Sequence, residues 1–282
     1  MKKLFLSGIS LLVILSAILA GSYYYLISNP NLKGLSGKYP IYDKDKKAYV
    51  LSAVKPSHWV RLDRISYYAR WAIIVSEDWA FYEHKGIDLR QLKIAIEDSI
   101  EEGELTRGAS TITQQVIKNA VLSPKREISR KLKEIILAYE LEKILSKDKI
   151  LEHYLNLVEL GKGIYGIKNA SFYYFNKHPK DLNAREGAFL AMLLPSPKKY
   201  SQSFYEKELS SFAKEQVNSI LVKLRQAKVL TESERRRQAN MPFFWETNFQ
   251  PQSFNTSGEE AGDNKDEGDS QSLMDSYYEA NQ

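Results

Sequence analysis

The 282 residues, 43% of them hydrophobic, provide for one domain of ordinary size with an anchor and a tail, and not for two large catalytic domains. Absence of cysteine excludes disulfides, thiolate catalysis, cysteine zinc sites and lipoprotein acylation. The net charge of +5 is divided unevenly: from Glu246 onward nine acidic residues face one lysine, so the rest of the chain carries +13, which suits anionic headgroups or pyrophosphates beside a membrane, or nucleic acid in a cytoplasm.

Residues 1–3 supply Lys2 and Lys3, and 4–27 form an uncharged run rich in Leu, Ile and Val, long enough to cross the roughly 30 Å hydrocarbon core as a helix. Positive charge on the short side predicts a cytoplasmic N-terminus, a single-pass signal anchor and a body outside the cytoplasmic membrane, with Tyr23, Tyr24 and Tyr25 at the outer interface. A cleaved signal peptide with its site near Ala20-Gly21-Ser22 is the alternative, but the apolar run exceeds the usual signal core. The anchor favours lipid over nucleic acid as the partner of the basic body.

Residues 28–44, with Asn-Pro and Ser-Gly steps, read as a juxtamembrane linker, and the folded domain is expected over 45–245. Between residues 65 and 200 the periodicity is mainly helical. The segment Ile87 to Leu105 is weakly patterned and reads as a candidate flap. A helix starts near Ser110, with Thr111, Gln115 and Lys118 on one face and Ile112 and Val116 on another. Ser123-Pro124 opens a long helix whose stripe Ile128, Leu132, Ile135 and Tyr139 predicts a core face, opposite Arg126, Arg130 and Lys133. Ser146 caps the next, with Ile150, Tyr154 and Leu157 inward and Glu152, Asn156 and Glu159 on a polar face. Further helices are expected over Asn183 to Leu194 and within 204–238. Residues 246–282 are too polar to offset ordering entropy and read as an acidic disordered tail.

Three clusters carry the chemistry. Glu77-Asp78 follows the apolar run Trp71 to Val75, where burial can raise a carboxylate's pKa into the range of a general base. Phe81, His84 and Gly86 follow. Standing alone, such a Glu-Asp pair is an ordinary solvated helix end. The second cluster is Gly108-Ala109-Ser110-Thr111-Ile112-Thr113-Gln114-Gln115 with Lys118, and the third is Ile150-Leu151-Glu152 with Tyr154-Leu155-Asn156. Gly161-Lys162-Gly163-Ile164-Tyr165-Gly166 matches a dinucleotide fingerprint by letter but lacks the preceding strand, so it is read as a turn.

In this order, and with Arg130-Lys131 and Glu134 between, the clusters resemble the peptidoglycan glycosyltransferases over about residues 60 to 200. The resemblance implies a mainly α, lysozyme-like helical domain behind the N-terminal transmembrane helix. It implies polymerisation of lipid II, a lipid-linked disaccharide-peptide, by inverting glycosyl transfer with loss of polyprenyl pyrophosphate. With no transpeptidase domain fitting after residue 245, a monofunctional enzyme is expected.

The same resemblance makes Glu77 the base, Asp78 its support and Glu152 a second important carboxylate. Ser110, Thr111, Gln114, Gln115, Lys118, Arg126, Arg130, Lys131 and Asn156 become substrate-binding candidates, with guanidinium forks suited to pyrophosphate oxygens. Phe81, His84, Gly86, Gly108, Glu134, Tyr154, Gly161 and Gly166 are structural motif residues. Asn176 replaces a glycine in a segment around Tyr174 and Phe175, at a turn where asparagine tolerates left-handed backbone. Expected partners are lipid II and the lipid-linked strand, the membrane, and wall-synthesis proteins including a separate transpeptidase, with no nucleic acid. Mg2+ or Mn2+ is the expected cofactor, without a named ligand and without an organic cofactor. The rivals are a glycan-cleaving lytic transglycosylase or muramidase-like enzyme and a catalytically silent membrane scaffold.

Overall fold

The computed structural model describes residues 16, 21, 32–43, 45–46, 48–102, 110–122 and 128–251. Gly108, Arg126, nearly all of the expected anchor and the tail beyond Pro251 lie outside them. Among the described residues no helix is long and apolar enough to cross a membrane.

The domain is mainly helical. Helix α1 (Tyr67–Glu77) starts at Ser66, whose hydroxyl accepts from Ala69 N. It buries Ala69, Trp71, Ala72, Ile73, Ile74 and Val75, so it is apolar nearly all round, as a helix in a domain centre must be. After α2 (Leu89–Glu102) come α3 (Ile112–Ala120), α4 (Ile128–Glu142), α5 (Lys147–Leu157), α6 (Ile167–Phe175) and α7 (Ala184–Leu193). The short α8 (Pro197–Tyr200) and α9 (Gln202–Glu206) lead to α10 (Ser211–Gln226) and α11 (Glu232–Ala239). Every residue of α7 is buried; it packs on α1 and α10, and Gly187 lets its backbone approach Ala69, where an added Cβ would lie 2.8 Å from Ala69 Cα.

Three expectations change. First, the linker over 28–44 is in part folded: strand β1 (Tyr39–Asp43) pairs antiparallel with β2 (Ala48–Ser52), and Leu32 and Leu35 are buried. His153 Nε2 lies 2.9 Å from Leu35 O and fastens this segment to α5. Five-residue strands, one containing Pro40, are too short for period-2 alternation to announce them. Second, residues 89–102 of the expected flap form a regular helix.

Third, α4 turns a different face inward. Glu134, Leu137, Ala138 and Leu141 are buried, whereas Leu132 and Tyr139 are 55% and 44% exposed. Both sets have helical spacing, and the partner helix α3 decides which one is covered. Elsewhere the helix ends fall within a residue or two of their signals: Ser146 caps α5, Asn183 caps α7 with Glu186 answering in a capping box, and Asn176 ends α6 in left-handed backbone at φ 51°.

Beyond α11 the chain returns over the core. Phe243 and Trp245 stack at 4.9 Å and both meet Phe189 of α7. Glu246, the first residue of the expected disordered tail, is instead packed: its buried side chain pairs with buried Arg185 at 3.5 Å, and the guanidinium lies 4.8 Å from the Phe243 ring centroid.

Candidate active site

Glu77 is the last residue of α1, half-buried at the point where the helix leaves the core. Gln115 Nε2 donates to its Oε2 at 2.8 Å, and the Tyr154 hydroxyl stands 3.4 Å from the same oxygen. Burial raises the pKa of Glu77 above the ordinary value of 4.5; the bonds from Gln115 and Tyr154 oppose that rise, Asp78 adds to it, and Lys223 on α10 opposes it. The outcome is a carboxylate more basic than a surface glutamate.

Asp78 is buried, and each of its carboxylate oxygens has a partner. His84 Nε2 lies 2.8 Å from its Oδ1, and Ile112 N donates to its Oδ2 at 2.9 Å, so it ties the end of α1 to the first turn of α3. Gly86 N donates to His84 Nδ1 at 3.2 Å, which makes Nε2 the protonated nitrogen. Gly86 itself has φ +84°, and an added Cβ would lie 2.8 Å from the Ala138 carbonyl group. Only glycine fits there. Phe81 is buried beneath this loop, with Lys147 Nζ 4.6 Å from its ring centroid.

Helix α3 connects this base to a cationic cluster. Lys131 Nζ of α4 donates to Ser110 Oγ at 2.9 Å and to Glu134 Oε2 at 3.1 Å, and lies 3.4 Å from Gln114 Oε1. Arg130 Nε lies 3.6 Å from Glu134 Oε1. Lys131 is half-exposed and Glu134 buried, so the carboxylate holds two cations from beneath while their heads remain reachable. Lys118 is exposed, one helical turn beyond Gln115. Thr111 and Gln114, expected to bind substrate, are instead a buried capping box, and Thr111 Oγ1 also donates to Gly86 O at 2.8 Å. They build the helix end.

Glu152 is held by three donors. Its Oε1 accepts from Trp59 Nε1 at 3.1 Å and Lys149 Nζ at 2.7 Å, and its Oε2 accepts from Leu62 N at 3.1 Å. Burial alone would raise its pKa, but bonds from Lys149, Trp59 and Leu62 N outweigh that and hold it below the ordinary value. Asn156, one turn along, exchanges bonds with Val60: Val60 N donates to Oδ1 and Nδ2 donates to Val60 O, both at 2.8 Å. The two residues fasten the segment before α1 onto α5. Trp59 and Lys149 escaped the sequence reading. Lys149 stands three residues from Glu152 and was legible as an i,i+3 partner; Trp59 carries no local signal.

Gly161 and Gly166 lie in the turn between α5 and α6. A Cβ on Gly161 would strike the Tyr174 hydroxyl, and one on Gly166 would lie 2.8 Å from Asn156 O. Among the described residues no group of three or more His, Asp or Glu side chains is arranged to hold a metal, and both oxygens of Asp78 are occupied. Among the described residues the donor set does not provide a resident divalent-cation cage.

A helical domain that keeps a basic glutamate beside an amide and a carboxylate-backed pair of cations holds the groups needed for general-base chemistry next to an anionic group. The chain belongs to the transglycosylase family, whose model matches residues 45–227. It is 48% identical over 141 residues to a biosynthetic peptidoglycan transglycosylase of Shewanella frigidimarina, covering 50% of this chain and 62% of that relative. It is 44% identical over 156 residues to the protein of the same name in Shewanella denitrificans, covering 55% of this chain and 68% of the relative. A third match, 47% over 142 residues, is to penicillin-binding protein 1F of Bacillus subtilis and covers 50% of this chain and 20% of that protein.

Proposed function

We propose that the protein polymerises lipid II into linear glycan strands for the bacterial cell wall. Glu77 takes the proton of the acceptor's glucosamine 4-hydroxyl as that oxygen attacks the anomeric carbon of the strand's terminal muramyl unit. The C–O bond to polyprenyl pyrophosphate breaks with inversion, and the pyrophosphate leaves carrying the electron pair. The observation that carries this reading is the joining of a basic, half-buried glutamate to a reachable Lys131–Arg130 pair through one short helix. A departing pyrophosphate needs such cations, and a neutral sugar leaving group does not. Lys118 and Arg126 extend the set of candidate phosphate ligands, and Glu134 orients the cations. Mg2+ or Mn2+, if bound, would supply further counter-charge to the pyrophosphate leaving group.

The proposed location is the outer face of the cytoplasmic membrane, with residues 4–27 as the single-pass anchor. Leu89, Ile96 and Ile100 of α2 and Leu132 and Tyr139 of α4 are exposed apolar side chains, which supports a membrane-facing surface next to lipid-tailed substrates. A transpeptidase is the class of wall-synthesis partner that would consume the strand. Product analysis tests the activity: lengthening glycan with release of polyprenyl pyrophosphate supports it, whereas shortening of preformed glycan supports the lytic rival.

A further inference from the structure

Among the described residues two donors reach the Glu77 carboxylate, and both go to one oxygen. Gln115 Nε2 and the Tyr154 hydroxyl meet Oε2, while among the described residues no group bonds Oε1. The hydroxyl also stands 3.4 Å from Gln115 Oε1. The three groups therefore form a triangle with Tyr154 at its buried corner; the tyrosine side chain is fully inaccessible at the middle of α5.

Donor chemistry gives the triangle a direction. Burial, and then the charge of Glu77, push the Tyr154 phenol well above its ordinary value of 10.0, so it stays protonated throughout the range in which a glutamate titrates. The phenol has a single hydrogen, shared between the amide oxygen of Gln115 and Oε2 of Glu77, each 3.4 Å away. With the oxygen end of the amide turned toward the phenol, the NH2 end is turned toward Glu77. A flipped amide would set oxygen against carboxylate oxygen and leave two acceptors opposed.

We infer that Tyr154 is a positioning residue for the base: its hydroxyl orients the Gln115 amide and, with it, pins Oε2 of Glu77, leaving Oε1 as the atom that receives the acceptor's proton. Tyr154 touches no substrate in this account and acts through Glu77 and Gln115. The inference rests on the proposed role of Glu77. The other groups that act on the carboxylate are Asp78 at the end of its own helix and Lys223 from α10; α7 meets α1 through Gly187 at Ala69. None of these reaches Oε2 in the way Tyr154 does.

The test is Tyr154→Phe in the full-length, detergent-solubilised chain, a change that removes one oxygen and keeps the ring in its cavity. Its melting temperature is compared with wild type, Glu77 is titrated by carbon-13 NMR of labelled glutamate, and kcat and KM for lipid II are followed against pH. The expected result is a folded variant whose kcat falls about 10- to 100-fold with KM nearly unchanged, from lost orientation of the reacting group. Its acid limb and the Glu77 NMR titration move together to higher pH, because a donor to the charged form is gone. An unmoved titration and an unmoved acid limb overturn the inference, even if kcat falls together with stability. The two failures are separable: if Glu77→Gln retains wild-type activity, the base assignment is wrong whatever the NMR titration shows. If Glu77→Gln is inactive and Tyr154→Phe matches wild type, only the positioning role is wrong.

Discussion

Replacing Glu152 by glutamine separates a fastening role from a chemical one. The wild-type carboxylate accepts three hydrogen bonds at 2.7 to 3.1 Å, from Lys149, Trp59 and Leu62 N, with its side chain only 11% exposed. Glutamine keeps the shape but has one acceptor oxygen, and its NH2 must face a donor it cannot bond. Losing one or two bonds to a charged group and setting a donor against a donor costs about 2–4 kcal/mol. For a domain of this size that is a fall of about 5–12 °C in melting temperature.

The pH dependence has a definite sign. The folded pKa of Glu152 lies below the ordinary 4.5, so its stabilisation is present above that value and is lost as pH falls through the lower, folded one. The stability gap between wild type and Glu152→Gln should therefore be constant from pH 7 to about 5 and close in more acid solution. Thermal unfolding followed by circular dichroism measures both, and lipid II turnover at a temperature where both proteins are folded completes the experiment. Turnover within a few-fold of wild type is expected from the variant. Wild-type stability combined with abolished turnover would refute the fastening role and restore Glu152 as a catalytic carboxylate.

Glu77→Gln should melt no lower than wild type at neutral pH: a carboxylate whose pKa is raised by burial destabilises the fold above that pKa, and the amide removes this cost. The activity of wild type should decline on acidification at a pH above 4.5, as the base is protonated. Gly86→Ala combines unfavourable φ with a clash against the Ala138 backbone and should cost about 2–4 kcal/mol in chemical denaturation. Arg185→Met leaves Glu246 buried without its cation and should cost about 3–5 kcal/mol, with much of that recovered when Glu246→Leu is added in a double-mutant cycle.

Local signals carried much of this structure into the sequence. The start of α5 was legible because the capping side chain of Ser146 acts on a backbone group three residues away. The raised basicity of Glu77 was legible because the apolar run before it belongs to the same helix. Features set by distant partners were not. Glu152 and Asn156 look like a polar site wall until Trp59 and Val60, more than 90 residues earlier, take up their hydrogen-bonding groups. Thr111 and Gln114 likewise look available until the loop at Gly86 and Lys131 of α4 are in place. On α4 two apolar stripes compete, and packing against α3 buries the one that includes Glu134. That burial puts Glu134 beneath the cations.

The measurement that tests the account most directly is conversion of purified lipid II by wild type and by Glu77→Gln, both shown folded by their melting curves, in detergent with Mg2+ or Mn2+. Glycan strands and polyprenyl pyrophosphate should accumulate with wild type, and the rate should fall about 10²- to 10⁴-fold in the variant. Equal rates from the two proteins would contradict the assignment of Glu77 as the base, and absence of product from folded wild type would contradict the polymerase itself.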